Sequence, residues 1–164
     1  VYLYDRLWSK GSEIVTVEDE LENVKSYLQI RQIRNENLFT YTIDCEVDPE
    51  ETWVLKLILQ PLVENALYHG IKNKRGKGRI VVTGRREKDK CVIRVEDNGI
   101  GMTKERLNQV RGGLTTKIED SNDFYGLYNV NERIRLKFGE EYGLSIDSVL
   151  REGTCVEVWL PWES

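Results

Sequence analysis

The sequence predicts an α+β sandwich, a mixed and mostly antiparallel sheet with helices on one face. Three observations carry that expectation. Helical and strand-like stretches alternate without the even rhythm of a doubly wound fold. The strand-like stretches come as hairpin pairs, 79–86 with 91–97 and 144–150 with 154–160. Between them, apolar residues recur at helical spacing in 17–35, 59–69 and 126–138. With 164 residues, 40% of them hydrophobic, the chain can bury a core and suits one domain with a short appendage.

Taken in order, Val1–Trp8 is apolar and aromatic and reads as the cut end of a helix that began upstream, broken at Lys10-Gly11-Ser12. Thr16 is an N-cap, with Asp19 and Glu20 in the first turn. Val17, Leu21, Val24 and Leu28 then repeat at four, three and four residues, an amphipathic helix to about Asn35. That stripe packs either on the domain or on a partner helix. Leu38–Val47 reads as a strand ended by Pro49. Trp53–Leu59 is expected to begin the next helix, with Pro61 kinking or restarting it. After the 79–97 hairpin, Thr103 caps a helix to about Arg111. Gly112–Tyr125 is polar and lacks a period. Gly126–Phe138 is helical, with Leu127, Val130, Ile134 and Phe138 on one side, and two closing strands follow.

The net charge of −4 argues against a nucleic-acid surface. Basic residues gather at 72–79, where they can face phosphates, and at Arg85, Arg86, Lys88 and Lys90, which read as a solvated hairpin tip. Cys45, Cys91 and Cys155 are odd in number and widely spaced, which suggests reduced, buried thiols rather than a zinc site or a disulfide framework. No apolar run approaches membrane-spanning length, and no signal peptide is visible.

Two segments carry chemistry. In the first, about 100° per residue puts Leu59, Leu62, Val63, Ala66 and Leu67 on one arc, and Gln60, Pro61, Glu64, Asn65, Tyr68 and His69 on the other. The second arc holds two amides, an acid and two aromatic rings but no Lys or Arg. A neutral amide oxygen is a hard ligand suited to Mg²⁺; an ordinary solvated face is the competing reading. The second segment is a strand, Cys91–Asp97, that stops at the turn signal Asn98-Gly99, with Gly101 and Met102 following. A carboxylate at a strand end can accept from an exocyclic amino group, and such a bond contributes about 1.5–3 kcal/mol, enough to choose adenine over guanine. Glycines beside it let the backbone approach a flat ring.

Together these residues resemble the nucleotide-binding boxes of the histidine kinase, gyrase, Hsp90 and MutL superfamily. Glu64-Asn65-Ala66 with His69 resembles the Asn box and Asp97-x-Gly99-x-Gly101 the first glycine box. Gly126-Leu127-Tyr128-Asn129-Val130 resembles the second, and Arg151-Glu152-Gly153-Thr154 the final Gly-Thr box. The run Leu59–Ala66, with Val17–Glu22, Tyr27-Leu28 and Arg31–Arg34 upstream, is similar to the LytS-like sensor histidine kinases. The resemblance implies a Bergerat-type fold in which residues 37–164 are the ATP-binding catalytic domain and 1–36 the end of the dimerisation and phosphoacceptor region with its linker helix.

The resemblance implies roles, residue by residue. ATP and Mg²⁺ are the expected cofactors, with Asn65 the metal ligand and Asp97 the adenine acceptor. Gly99 and Gly101 shape the adenine wall, and Met102 is a further nucleotide-binding residue. His69 either stacks on the nucleotide or touches phosphate, or merely ends the helix before Gly70. Residues 112–125 form the lid, with Lys117 as a phosphate contact. Gly126, Leu127 and Asn129 offer backbone donors at a helix N-terminus. Thr154 either donates a hydroxyl near the adenine or has no role. Glu64 either assists an incoming histidine or braces the helix. In the gyrase and MutL branch the hydrolytic acid lies four residues before the Asn; that position is Pro61, which argues against a hydrolase.

The second glycine box has one glycine where many relatives carry Gly-x-Gly. His69 is the only histidine, so the phosphoacceptor is not upstream in this sequence. The expected function is therefore the catalytic part of a longer kinase. Its parent would be a homodimer in a bacterial inner membrane, anchored by segments outside this sequence, with this domain on the cytoplasmic side and a response regulator as partner. An ATP-driven conformational switch and a non-catalytic nucleotide sensor are the alternatives.

Overall fold

The structure, a computed structural model, describes residues 14–34, 38–71, 74, 76–116 and 125–162. The expectations for Val1–Trp8, the 10–12 break and Lys117 lie outside them. A short strand β1 (Ile14–Thr16) leads into helix α1 (Val17–Arg34), then β2 (Phe39–Cys45) and β3 (Trp53–Leu55). Helix α2 (Leu59–Asn65) continues as a π-helical turn over Ala66–Ile71. The hairpin β4 (Gly78–Glu87) and β5 (Lys90–Asp97) precedes α3 (Lys104–Gly113) and α4 (Tyr125–Phe138), and β6 (Gly143–Val149) and β7 (Gly153–Pro161) close the chain.

The main sheet has the order β2-β4-β5-β7-β6. Only the β2–β4 pair is parallel, joined by the crossover through α2; β4–β5, β5–β7 and β6–β7 are antiparallel. Alternation sorts the two faces. Ile80, Val82, Ile93, Val95, Val156 and Val158 join the helices' apolar residues in one core. The opposite face carries the Arg85–Glu157 and Arg94–Glu96 ion pairs, with Val92 sealed between Arg85 and Trp159 across the strands.

Helix α1 starts where the sequence places it: the Thr16 hydroxyl accepts from Asp19 N at 3.2 Å. Its stripe packs on the domain, since Val17, Val24 and Leu28 lie in the same core as Leu59 and Leu62. The backbone N–H of Val17 and of Glu18 donate to the carbonyls of Thr52 and Pro49, which ties the helix start to the turn after β2.

Two expectations are corrected. Trp53–Leu59 does not begin a helix. Trp53–Leu55 is a strand that pairs antiparallel with β1, and a turn with Leu57 at φ 60° separates it from α2. Two β-branched or aromatic residues, Trp53 and Val54, favour the strand once β1 offers an edge. Pro61 neither kinks nor restarts α2, because it falls in the first turn, where its missing N–H costs no helical bond. The basic hairpin tip is exposed at Arg86 and Lys88, as expected, with Arg85 and Lys90 half-buried. Arg86 lies 4.8 Å from the Trp162 ring centroid, and Lys90 reaches toward both Tyr142 and Trp159. The cysteines are free thiols, with Cys91 buried and Cys45 and Cys155 half-buried.

Because α1 shares the core, Leu28→Ala should lower the unfolding free energy by about 2–5 kcal/mol, as buried leucine truncations do. Urea unfolding should remain one transition. A second, early transition would show α1 detaching as a separate unit.

Candidate active site

The site begins at the helix that carries Asn65. Of the six residues on its polar arc, only Asn65 is buried, at 9% exposure; Glu64 and Tyr68 are exposed and Gln60, Pro61 and His69 are half-buried. Its Oδ1 is buried without a hydrogen-bond partner. An unpaired amide oxygen in such a place costs free energy unless a ligand completes it. Just past Asn65 the helix widens into the π turn, a departure that often marks a functional site. His69 therefore does not end the helix, which runs on through Gly70 to Ile71. His69 meets Tyr68 edge-on, with ring centroids 5.6 Å apart.

The π turn delivers Gly70 against the tip of β5. A Cβ on Gly70 would lie 2.5 Å from Asp97 Oδ1, and one on Gly99 would collide with the Gly70 carbonyl. Gly70 O also accepts from Ile100 N at 3.2 Å. The bare backbone of Gly70 is thus wedged between the carboxylate and the loop that follows it. Asp97 is 7% exposed, and its Oδ1 accepts from Gly99 N at 2.8 Å. Asn98 pins the other side of the turn, with its Oδ1 accepting from Arg79 N at 2.6 Å.

Three of the remaining predicted residues, Gly101, Met102 and Thr154, gather around this tip. Gly101 has φ 67°, and a side chain there would strike the Val149 carbonyl. Met102 packs partly on the core, and its N–H donates to Ser148 Oγ at 2.9 Å. Ser148 Oγ lies 2.9 Å from Thr154 Oγ1, and Thr154 is the cross-strand partner of Asp97. The Asp97, Ser148, Val149, Gly153 and Thr154 side of the tip borders an open hollow of about 190 Å³. Gly126, at the start of α4, faces Pro61 in the first turn of α2. Leu127 is core, so only its backbone can serve a ligand, and Asn129 is exposed. Asn131 ties the end of α3 to β6: its Nδ2 donates to Leu114 O and its Oδ1 accepts from Leu144 N, each at 2.9 Å. Glu64 accepts from Gln60 Nε2 at 2.9 Å.

Gly70, Ser148 and Asn131 are the residues that sequence reasoning missed. Gly70 sits beside the only histidine and invites a helix-end reading. Ser148 and Asn131 have no local signal, because their roles exist only once β6 and α4 have docked.

Burial raises the Asp97 carboxyl from 3.8 to about 6, against the opposing pull of the Gly99 and Thr154 amides. Among the described residues no cluster of three or more His, Cys, Asp or Glu can hold a metal. The orphaned Asn65 oxygen does fit one ligand position of a magnesium ion whose other ligands come from phosphate and water.

The chain belongs to the family described as histidine kinase-, DNA gyrase B-, and HSP90-like ATPases, whose model matches residues 52–164. The sensor histidine kinase YesM of Bacillus subtilis is 34% identical over 91% of this chain and 24% of its own length. The sensor protein LytS of Staphylococcus saprophyticus is 33% identical over 99% of this chain and 27% of its own length. The chain thus spans about a quarter of these relatives. The catalytic domain of the histidine kinase ThkA superposes with a TM-score of 0.64 at 11% identity, covering 90% of this chain and 94% of that one. The mycobacterial sensor histidine kinase MprB gives 0.61 at 18%, covering 92% and 97%. These two share the fold. Among the described residues no helix is long and apolar enough to cross a membrane.

Two outcomes test the tip. Gly70→Ala should destabilise by about 1–3 kcal/mol in denaturant unfolding, as overpacking does, because the new methyl must displace the Asp97 carboxylate. The pH dependence of Asp97 has a definite sign. Between 3.8 and about 6 the folded state holds a proton that the unfolded chain has released. Its contribution is therefore full below 3.8 and is lost as pH rises through about 6. At about 1.36 kcal/mol per pK unit the loss reaches about 3 kcal/mol. Asp97→Asn should then be the more stable protein at neutral pH by up to that amount, with the gap closing toward pH 4; thermal unfolding across pH measures it.

Proposed function

We propose that this chain is the catalytic ATP-binding domain of a two-component sensor histidine kinase, passing the γ-phosphoryl group of ATP to a histidine on another segment. The observation that carries the reading is a buried, unpartnered amide oxygen at Asn65 on a helix whose end abuts the buried Asp97 carboxylate. The family match and the kinase relatives support it.

Asp97 accepts the adenine amino group in its ionised form, held in place by Gly99 N–H. Gly99, Gly101 and Met102 form the wall beside the base, and the Thr154 hydroxyl, steadied by Ser148, lies on the neighbouring strand. Asn65 would hold Mg²⁺ through Oδ1, and the ion would supply charge neutralisation for the transferred group. His69 flanks the nucleotide one turn beyond Asn65. Backbone donors of Gly126 and Leu127, in the first turn of α4, receive phosphate oxygens; Asn129 lies a turn further in, where its N–H is spent within the helix, so only its side chain can serve. Lys117 is a further phosphate contact in this reading. Glu64, exposed beside Asn65, assists the incoming histidine. Transfer is mainly positioning and electrostatics, so no strong base is required. The only histidine here is His69, so the acceptor comes from outside this sequence. The parent is a bacterial inner-membrane homodimer that presents this domain to the cytoplasm and hands its phosphoryl group to a response regulator.

A gyrase-like hydrolase would need an acid where Pro61 stands in the first turn of α2. Asn65 and Asp97 are both intact, which disfavours a sensor that has lost transfer.

Asp97→Asn should weaken ATP binding tenfold or more, about 1.4 kcal/mol, in calorimetry. Asn65→Ala should abolish the Mg²⁺-dependent part of the affinity while leaving metal-free binding in place. Mixing the domain with ATP, Mg²⁺ and a separate segment bearing the upstream histidine should label that segment. Steady phosphate release with no labelled histidine would instead mark a hydrolase.

A further inference from the structure

Helix α2 lacks a cap of its own. Ile58, at the N-cap position, has helical dihedrals of −97° and −29° and makes no side-chain capping bond. The first turn of any helix leaves N–H groups without intrahelical partners. Here they belong to Ile58, Leu59 and Gln60, since Pro61 has none. Two of them point to one atom: Glu20 Oε1 accepts from Ile58 N at 2.9 Å and from Leu59 N at 3.3 Å. Glu20 belongs to α1, 38 residues earlier, and is only 3% exposed. A second link runs beside it. Asn23 Nδ2 donates to Gln60 Oε1 at 2.9 Å, and Gln60 Nε2 donates in turn to Glu64.

Glu20 and Asn23 lie outside the residues matched by the family model, which begin at 52. The helix that carries Asn65 is therefore capped by a neighbouring helix, through a carboxylate that also complements the positive end of its dipole. A buried carboxylate is costly, and these amide bonds are what make its burial tolerable. From Leu59 to Asn65 the helix has no room to absorb an error, since Leu59, Leu62 and Val63 are fully buried on its other side. Any change in the cap becomes a change in the pitch or rotation of the whole short helix.

We propose that Glu20 is a positioning residue for Asn65: through its grip on Ile58 and Leu59, α1 sets where the Asn65 amide stands. This rests on the proposed metal-binding role of Asn65. It makes α1 the element whose movement would alter the metal site without touching the nucleotide. Asn23 and Gln60 carry the same movement to Glu64.

The experiment follows Asn65 itself. In nitrogen-15 spectra of the ligand-free domain, Glu20→Ala should shift the Asn65 side-chain NH₂ resonances more than the Asp97–Gly101 amides, which meet only the far end of the helix, through Gly70. Glu20→Gln keeps an acceptor oxygen and should return them toward their original positions. Glu20→Asp, with the charge kept but withdrawn by one methylene, gives the same reading if the alanine variant does not fold. Calorimetry with ATP, with and without Mg²⁺, should then show Glu20→Ala losing most of the metal-dependent affinity and little of the metal-free affinity. Unmoved Asn65 resonances in the alanine or aspartate variant would overturn the proposal and leave Glu20 a stabilising cap only. If those resonances move but the original protein binds no ATP, positioning stands and the kinase reading fails.

Discussion

Everything in the site hangs on one close approach. Gly70 brings bare backbone against the Asp97 carboxylate and the Gly99 turn, at a distance no side chain could share. The contact joins the end of the Asn65 helix to the tip of β5. Without it the two polar groups would belong to separate surfaces. The π turn is the device that achieves it, because it lets the helix reach the sheet while Ala66, Leu67 and Ile71 stay in the core. The β6–β7 turn presses from the other side, where Arg151 N donates to Ile100 O at 2.6 Å.

The same packing leaves two polar groups in a poor environment for themselves. Asp97 is buried with only amide partners to offset its charge among the described residues, and its carboxyl is pushed up to about 6. Asn65 keeps an oxygen with nothing to bind. Stability alone would favour neither. Both become favourable if an amino group and a metal ion arrive with a nucleotide, which is the physical sense in which the site is preorganised.

Much of this was legible in the sequence, because the glycine boxes and the helical arc are local patterns. The Thr16 cap, the α1 stripe and the two hairpins follow from spacing alone. What escaped depended on partners far along the chain. Trp53–Leu55 became a strand because β1 was there to pair with it. Pro61 proved harmless because the helix began only two residues before it. Glu20 looked like an ordinary first-turn acid of its own helix, yet it serves the first turn of another. Gly70 carried no sign that its missing side chain mattered, since the atom it avoids lies on β5.

The most direct test of the account separates the two ends of the site with two probes. Adenosine alone should shift the Asp97, Asn98 and Gly99 amides in nitrogen-15 spectra and leave the Asn65 side chain where it was. ATP with paramagnetic Mn²⁺ in place of Mg²⁺ should broaden the Asn65 side-chain signals most strongly and the Gly99 amide far less. Broadening centred on β5, or adenosine acting first on Asn65, would contradict the arrangement on which the assignment stands.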